Sequence, residues 1–232
     1  VLYVITLPSR TTKHYKKKSV PVLVKRQCIL KHVGFNASAQ KYGHDVSSLE
    51  RITGRYIQFA RKNFAKAVKP FGMTQEMVDL TATTALEHFT ATIASELLRN
   101  LHIQELMTDD TMSYMWFWHA VEENEHKAVA YDVYEEIFGR GVKAYALRNT
   151  ALVVAMVLLF TLQSYFVLRL LNRDNKLNLK ELGMIYKYAY SPSKGIIAGM
   201  TGEMLAYFRP RFHPNDLDTV QLLKDWKAKL GF

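Results

Sequence analysis

His119, Glu122, Glu123 and His126 lie three, four and seven residues apart within Trp116–Tyr134. At about 3.6 residues per turn, a helix puts all four on one face within two turns. Imidazoles and carboxylates sharing a stripe beside Trp116, Phe117 and Trp118 form the donor set that a partly buried transition metal takes. Without a metal or hydrogen bonds, burying such groups costs desolvation. Glu125 falls well off the stripe and reads as solvated or as a support for the ligands. The bland alternative is a charged helix face, which would carry Lys or Arg at the i+4 positions in place of two histidines. The expected cofactor is a divalent transition metal: Fe, Mn or Zn.

A metal held between helices needs donors from a second helix. Ala85-Leu86-Glu87-His88-Phe89-Thr90-Ala91 embeds a carboxylate in an apolar, Thr-rich run. Carboxylate-bridged dimetal bundles take one Glu from each of two helices and a Glu-x-x-His pair from each of two others. Glu87 can be the lone carboxylate, and Glu123 with His126 is one Glu-x-x-His pair. Otherwise Glu87 is a surface residue. His88 reads as a core or supporting histidine more than as a ligand, and His119 as a third ligand or a supporting donor.

The elements that position these residues are helical. Val46–Val68 carries Leu49, Ile52, Tyr56, Phe59 and Phe64 at helical spacing, with Ser47 and Ser48 as its caps. Lys69-Pro70-Phe71-Gly72 stops it. A second helix runs from Thr74 to about Asn100. A third, capped by Thr108-Asp109-Asp110, carries the stripe and ends near Gly139 and Gly141. Long segments joined by short connectors predict an all-α protein, an antiparallel helical bundle that is ferritin-like in its ligand arrangement. The fourth helix holds Thr150–Leu168, without a charged residue, between Arg148 and Arg169. Nineteen helical residues span about 28 Å, enough for a bilayer core. A helix buried on all sides would look the same, so both readings stay open. Tyr186–Tyr190 with Ser191-Pro192-Ser193 and Gly195–Gly202 reads as a loop and a small-residue helix. Phe208–Pro214 reads as rigid and extended, and Asp216–Leu230 as a final amphipathic helix, a C-terminal extension.

The chain has 232 residues, 49% hydrophobic and 22% charged, which suffices for one large helical domain. A lone cysteine, Cys28, excludes an internal disulfide framework and fits a reducing compartment. No secretory signal is visible, so the expected location is cytoplasmic, with inner-membrane association left open by the apolar helix. The net charge of +10 draws heavily on Lys13, Lys16, Lys17, Lys18, Lys25, Arg26 and Lys31. Basic residues crowded at one end, with no recognition-helix pattern, argue against nucleic acid as a partner.

From Asn36 onward the chain resembles the bacterial family of predicted metal-dependent hydrolases. The resemblance is carried by Asn36 with Gly43-His44-Asp45-Val46, by Leu86–Ala91, by Trp118–Tyr134 and by Tyr207-Phe208-Arg209-Pro210-x-Phe212-His213-Pro214. It implies a helical metalloprotein. It also implies an upstream Gly-Gln-Glu-Ala-x-His-x-x-x-His segment, which would supply the other Glu-x-x-His pair, and an earlier lone Glu. Aligned on Asn36, His32 matches the last His of that segment. Lys25 stands where the Glu belongs and Cys28 where the first His belongs.

The genetic code suggests why. Leu23-Val24-Lys25-Arg26-Gln27-Cys28-Ile29 can be encoded TTG GTC AAG AGG CAA TGC ATT, and from its third base that string reads Gly-Gln-Glu-Ala-Met-His. Residues 1–31 are therefore expected to be an aberrant, out-of-frame segment, and 32–232 a single helical domain. The charge crowded into that segment, and its lack of helical periodicity, have the same origin. A lysine in a ligand position repels a cation, so the chain as written would hold one metal weakly or none.

On the resemblance, Glu87, His119, Glu123, His126 and His32 are the candidate metal ligands. Glu122 is the candidate catalytic proton acceptor for a water activated by the metal. The ligand pattern itself, rich in carboxylates, fits a di-iron or di-manganese oxidoreductase better than a zinc hydrolase. A third reading is a membrane-associated helical protein that is structural or inactive. The expected substrate is small and apolar or lipid-like, with membrane contact and a homo-oligomer both left open.

Overall fold

The computed structural model describes residues 40–41, 45–192 and 194–232, and among these it holds helices and no strands. His32, Cys28 and the proposed out-of-frame segment lie outside the described residues. The chain divides into two compact units after Asp79.

In the first unit, α1 (Val46–Val68) begins and ends where its apolar periodicity predicts. Its cap, Asp45, lies two residues before Ser47 and three before Ser48. Asp45 accepts from the Ser48 N–H at 2.9 Å, the better chemistry, because a carboxylate also opposes the helix dipole. The 3-10 turn Lys69–Phe71 closes on Gly72 at φ +79, a left-handed position suited to glycine. The next helix, α2 (Gln75–Arg99), starts in this unit. There Asp79, buried, accepts from Arg61 Nε at 2.8 Å and from Gln75 Nε2 at 3.0 Å, tying the start of α2 to α1.

In the second unit α2 continues through Thr81, Thr84, His88, Thr90, Thr92 and Ser95, all buried. A helix this polar can be buried because its hydroxyls bond back to the preceding turn. Thr84 Oγ1 donates to Leu80 O at 2.9 Å, while Ser95 reaches across to Asn124 Oδ1 at 2.7 Å. After the short α3 (Leu101–Leu106), Asp109 caps α4 (Asp110–His126). The predicted single third helix is in fact two. It breaks at Lys127–Ala128 and resumes as α5 (Val129–Phe138). The cause is a long-range anchor: Lys127 is buried, donating to Thr219 Oγ1 at 3.0 Å and to the Leu217 carbonyl.

Gly139, at φ +70 and ψ −163, allows a turn closed to side-chain-bearing residues, and Gly141 precedes α6 (Val142–Arg173). The first half of α6 buries Ala144, Arg148, Ala151 and Leu152. Its most apolar stretch does not follow them inward. Val153 is 50% exposed and Val157 60%, so the fully buried alternative for this helix is ruled out. Tyr186–Tyr190 is not loop but the end of α7 (Leu179–Tyr190). In α8 (Ile196–Ala206), a Cβ on Gly199 would lie 2.1 Å from the Glu96 carboxylate, so a larger residue there would make that side chain move aside. Phe208–Pro214 is a series of tight turns instead of an extended stretch, and α9 begins later than predicted, at Val220–Leu230.

Two apolar clusters hold this unit. One gathers Ala85, Tyr131, Ala151, Leu152, Ala206, Tyr207 and Phe212. The other sets Trp226 of α9 against Ala94, Leu98, Ala120 and Val121, with its indole N–H on Leu98 O at 2.8 Å.

Candidate metal centre

The capped helix α4 places the predicted stripe as its spacing requires. His119 sits between two carboxylates, Nδ1 at 3.7 Å from Glu122 Oε2 and Nε2 at 3.4 Å from Glu123 Oε1. Trp116 lies against it with ring centroids 6.3 Å apart. Glu122 is the deepest member of the stripe at 8% exposed, and its Oε2 is a buried atom with no hydrogen-bond partner among the described residues. An unpartnered buried carboxylate oxygen carries a full desolvation cost, so it marks a place where a proton, a cation or a donor is wanted. His126 lies one turn on and is half-buried, and its ring makes no hydrogen bond to any described residue. Glu125 is exposed and paired with Lys227, the solvated role expected for it.

Glu87 has a backbone partner on α5. Its Oε2 accepts from the Ala130 N–H at 3.2 Å, so the carboxylate serves the start of α5 just past the break that follows His126. An anion suits a helix N-terminus. His88 is a core histidine, as its setting predicted. It is 2% exposed, with the Tyr207 ring tilted against it at 4.6 Å and Phe212 edge-on at 5.2 Å, and Nε2–H donates to Glu203 O at 3.2 Å. Burial, more than the nearby Arg148 charge, pushes its pKa down to about 4, so it is neutral at neutral pH.

The donor set is of the right chemistry but incomplete. Among the described residues, no three His, Cys, Asp or Glu side chains converge as a metal cage requires. His119, Glu122, Glu123 and His126 all come from one helix, and a cage closes only with donors from another. The described residues therefore do not by themselves fit a bound metal.

One arrangement had escaped the sequence reading. Arg148, 4% exposed, sits at the centre of the Tyr207–Pro214 motif. Its guanidinium donates to Tyr207 O at 2.9 Å, Arg209 O at 3.1 Å, Phe212 O at 3.3 Å and the Tyr131 hydroxyl. Aromatic faces of Tyr131, Tyr145, Tyr207 and Phe212 surround it at 4.8–5.8 Å. Burial raises the pKa values of Tyr131, Tyr134 and Tyr207 above the ordinary phenol value, so all stay protonated. Beside them His213 Nε2–H donates to Asp132 Oδ1 at 2.9 Å while Nδ1 accepts from Asn215 N–H at 3.2 Å. Both nitrogens are used, which makes this pair a fastener and not a base.

Residues 29–218 match the model of one family, described as predicted metal-dependent hydrolase. No curated protein and no solved structure matches the chain.

Proposed function

The chain belongs to the family of predicted metal-dependent hydrolases, and from that premise we propose that α4 contributes one half of a divalent metal site. His119, Glu123 and His126 would be its ligands, with Glu87 and His32 as the further candidates. The observation that carries this reading is the buried, unpartnered Oε2 of Glu122 beside His119. Such an oxygen can accept a proton without breaking another bond, the property asked of a general base. A bound metal would supply Lewis acidity and bring the pKa of a water near neutrality.

The missing half is assigned to the segment before His32, translated out of frame in this chain. The family match opens at residue 29, so neither Lys25 nor Cys28 falls within it. The chain as written is thus an impaired member of its family. Elemental analysis tests this on the full chain and on a version whose upstream residues are restored to Gly-Gln-Glu-Ala-Met-His. The restored protein is expected to hold at least one equivalent of Fe, Mn or Zn, and the unrestored one markedly less. A metal-free restored protein, or a genomic frame with other codons, would overturn the proposal.

A second reading is a di-iron or di-manganese oxidoreductase in a ferritin-like ligand arrangement, favoured by the carboxylate-rich donor set. Visible absorption that appears when the iron-loaded, restored protein meets oxygen would select it, whereas a colourless zinc protein would select hydrolysis. For both, the exposed apolar stretch of α6 supports a lipid-like substrate and contact with a membrane. This helix is long and apolar enough to cross one. A restored protein that binds no metal but sediments with vesicles would leave a structural, membrane-associated protein.

A further inference from the structure

A cleft of about 420 Å³ opens where α5 turns into α6. Arg140, Arg148 and Arg211 line it, against a single carboxylate, Glu135. Glu135 is already bound by Arg140, at 2.6 and 2.9 Å, and Arg148 makes no ion pair with any carboxylate among the described residues. The lining therefore carries two positive charges in excess.

Three further features point the same way. Arg148 is more than nine-tenths buried, and its Nε–H has no acceptor. A buried charge without a counter-charge is held at a cost that an incoming anion relieves. Gly141, Val142 and Ala144 line the cleft at the N-terminus of α6, which no side chain caps. Unsatisfied N–H groups of a long helix and their dipole favour an anion there. Arg211, on the lip, is exposed and adopts φ +60, a left-handed conformation that a side chain makes less comfortable than glycine would. That strained residue brings a third guanidinium to the cleft.

We propose that this cleft binds a dianionic phosphate group, the charge that two excess cations and an uncapped helix N-terminus best match. Arg211, with the α6 N–H groups, would contact the oxygens. Arg140 would exchange part of its bond to Glu135 for the phosphate, and Arg148 would act through its field, since its other N–H groups are taken. The phosphate could belong to a soluble monoester or to a lipid headgroup of phosphatidate type. The apolar stretch of α6 belongs to the helix that starts at the cleft, which leaves room for either source.

The test uses the full chain and inorganic phosphate, with chloride at matched ionic strength as the reference. Phosphate at 100-fold its Kd is expected to raise Tm by about 5 °C. Arg211→Gly and Arg140→Gln should each weaken phosphate binding about 10-fold by calorimetric titration. Arg211→Gly should do so without lowering Tm in the absence of phosphate, which separates lost binding from lost folding. No saturable rise over chloride, or unchanged phosphate affinity in both folded variants, overturns the proposal. Cosedimentation then assigns the source. Binding to phosphatidate-bearing but not pure phosphatidylcholine vesicles, lost in Arg211→Gly, identifies a lipid headgroup. Phosphate binding with no preference between the vesicles identifies a soluble ester.

Discussion

The stripe on α4 and the cage around Arg148 are both polar groups set in apolar surroundings, yet they are completed in opposite ways. Around Arg148, three backbone carbonyls and a tyrosine hydroxyl accept, and four aromatic faces close the shell. On α4, His119 lies between two carboxylates, Glu122 Oε2 has no hydrogen bond, and His126 has none among the described residues. The first cluster spends most of its hydrogen-bonding capacity on the chain itself, leaving Arg148 Nε–H and the Tyr207 hydroxyl open among the described residues, so it holds the fold together. The second leaves its capacity open, so stability does not explain it. Buried polarity thus points to function at the particular atoms whose bonds do not close, Glu122 Oε2 on α4 and Arg148 Nε in the cage.

The largest effect expected from this contrast is at Arg148. Arg148→Met should cost about 3–5 kcal/mol in denaturant unfolding, because the carbonyls of Tyr207, Arg209 and Phe212 lose their shared donor. A loss below 1 kcal/mol would show the cage to be dispensable.

His88, packed on the same Tyr207 and Phe212, gives the next effect through pH. Its folded pKa of about 4 lies below the ordinary 6.5, so between those values the unfolded chain binds a proton that the folded chain does not. Stability should be intact above pH 6.5 and fall by roughly 3 kcal/mol as pH drops to 4. His88→Gln should flatten that part of the pH–stability curve; an unaltered slope would place the titration elsewhere.

At the open cluster the expected change is small. Glu122→Gln should leave unfolding free energy within about 1 kcal/mol, or raise it, since Oε2 makes no hydrogen bond among the described residues that the substitution would break. A loss as large as that at Arg148 would make the stripe architectural and erase the contrast. The smallest effect is at Arg211, where glycine relieves the left-handed strain and should stabilise by about 0.5 kcal/mol.

Much of this was legible in the residues. The bounds of α1, the run of α2 and the α4 stripe follow from apolar periodicity and turn residues, which are local signals. The burial of His88 followed from its apolar neighbours. Arg148 was read as a charge flanking an apolar run, and its role was invisible for a plain reason. Its acceptors are backbone carbonyls, which every residue carries, so no side-chain pattern announces them. The signal that could have revealed it was the aromatic and proline content of Tyr207–Pro214, whose tight turns aim several carbonyls at one point. The break after His126 escaped for a similar reason, since Lys127 is held by Leu217 and Thr219, some ninety residues away in the chain.

The placement of Trp226 has a practical corollary for anyone trimming this protein. The family match stops at residue 218, two residues before α9 begins. Yet Trp226 is 7% exposed, seals Leu98 and Val121, and stacks on Phe117 of α4 at 4.6 Å. A chain cut at the family boundary would bare the back of the very helix that bears the stripe. The family signature therefore stops short of a helix that the core uses, and any expression fragment should run through Leu230.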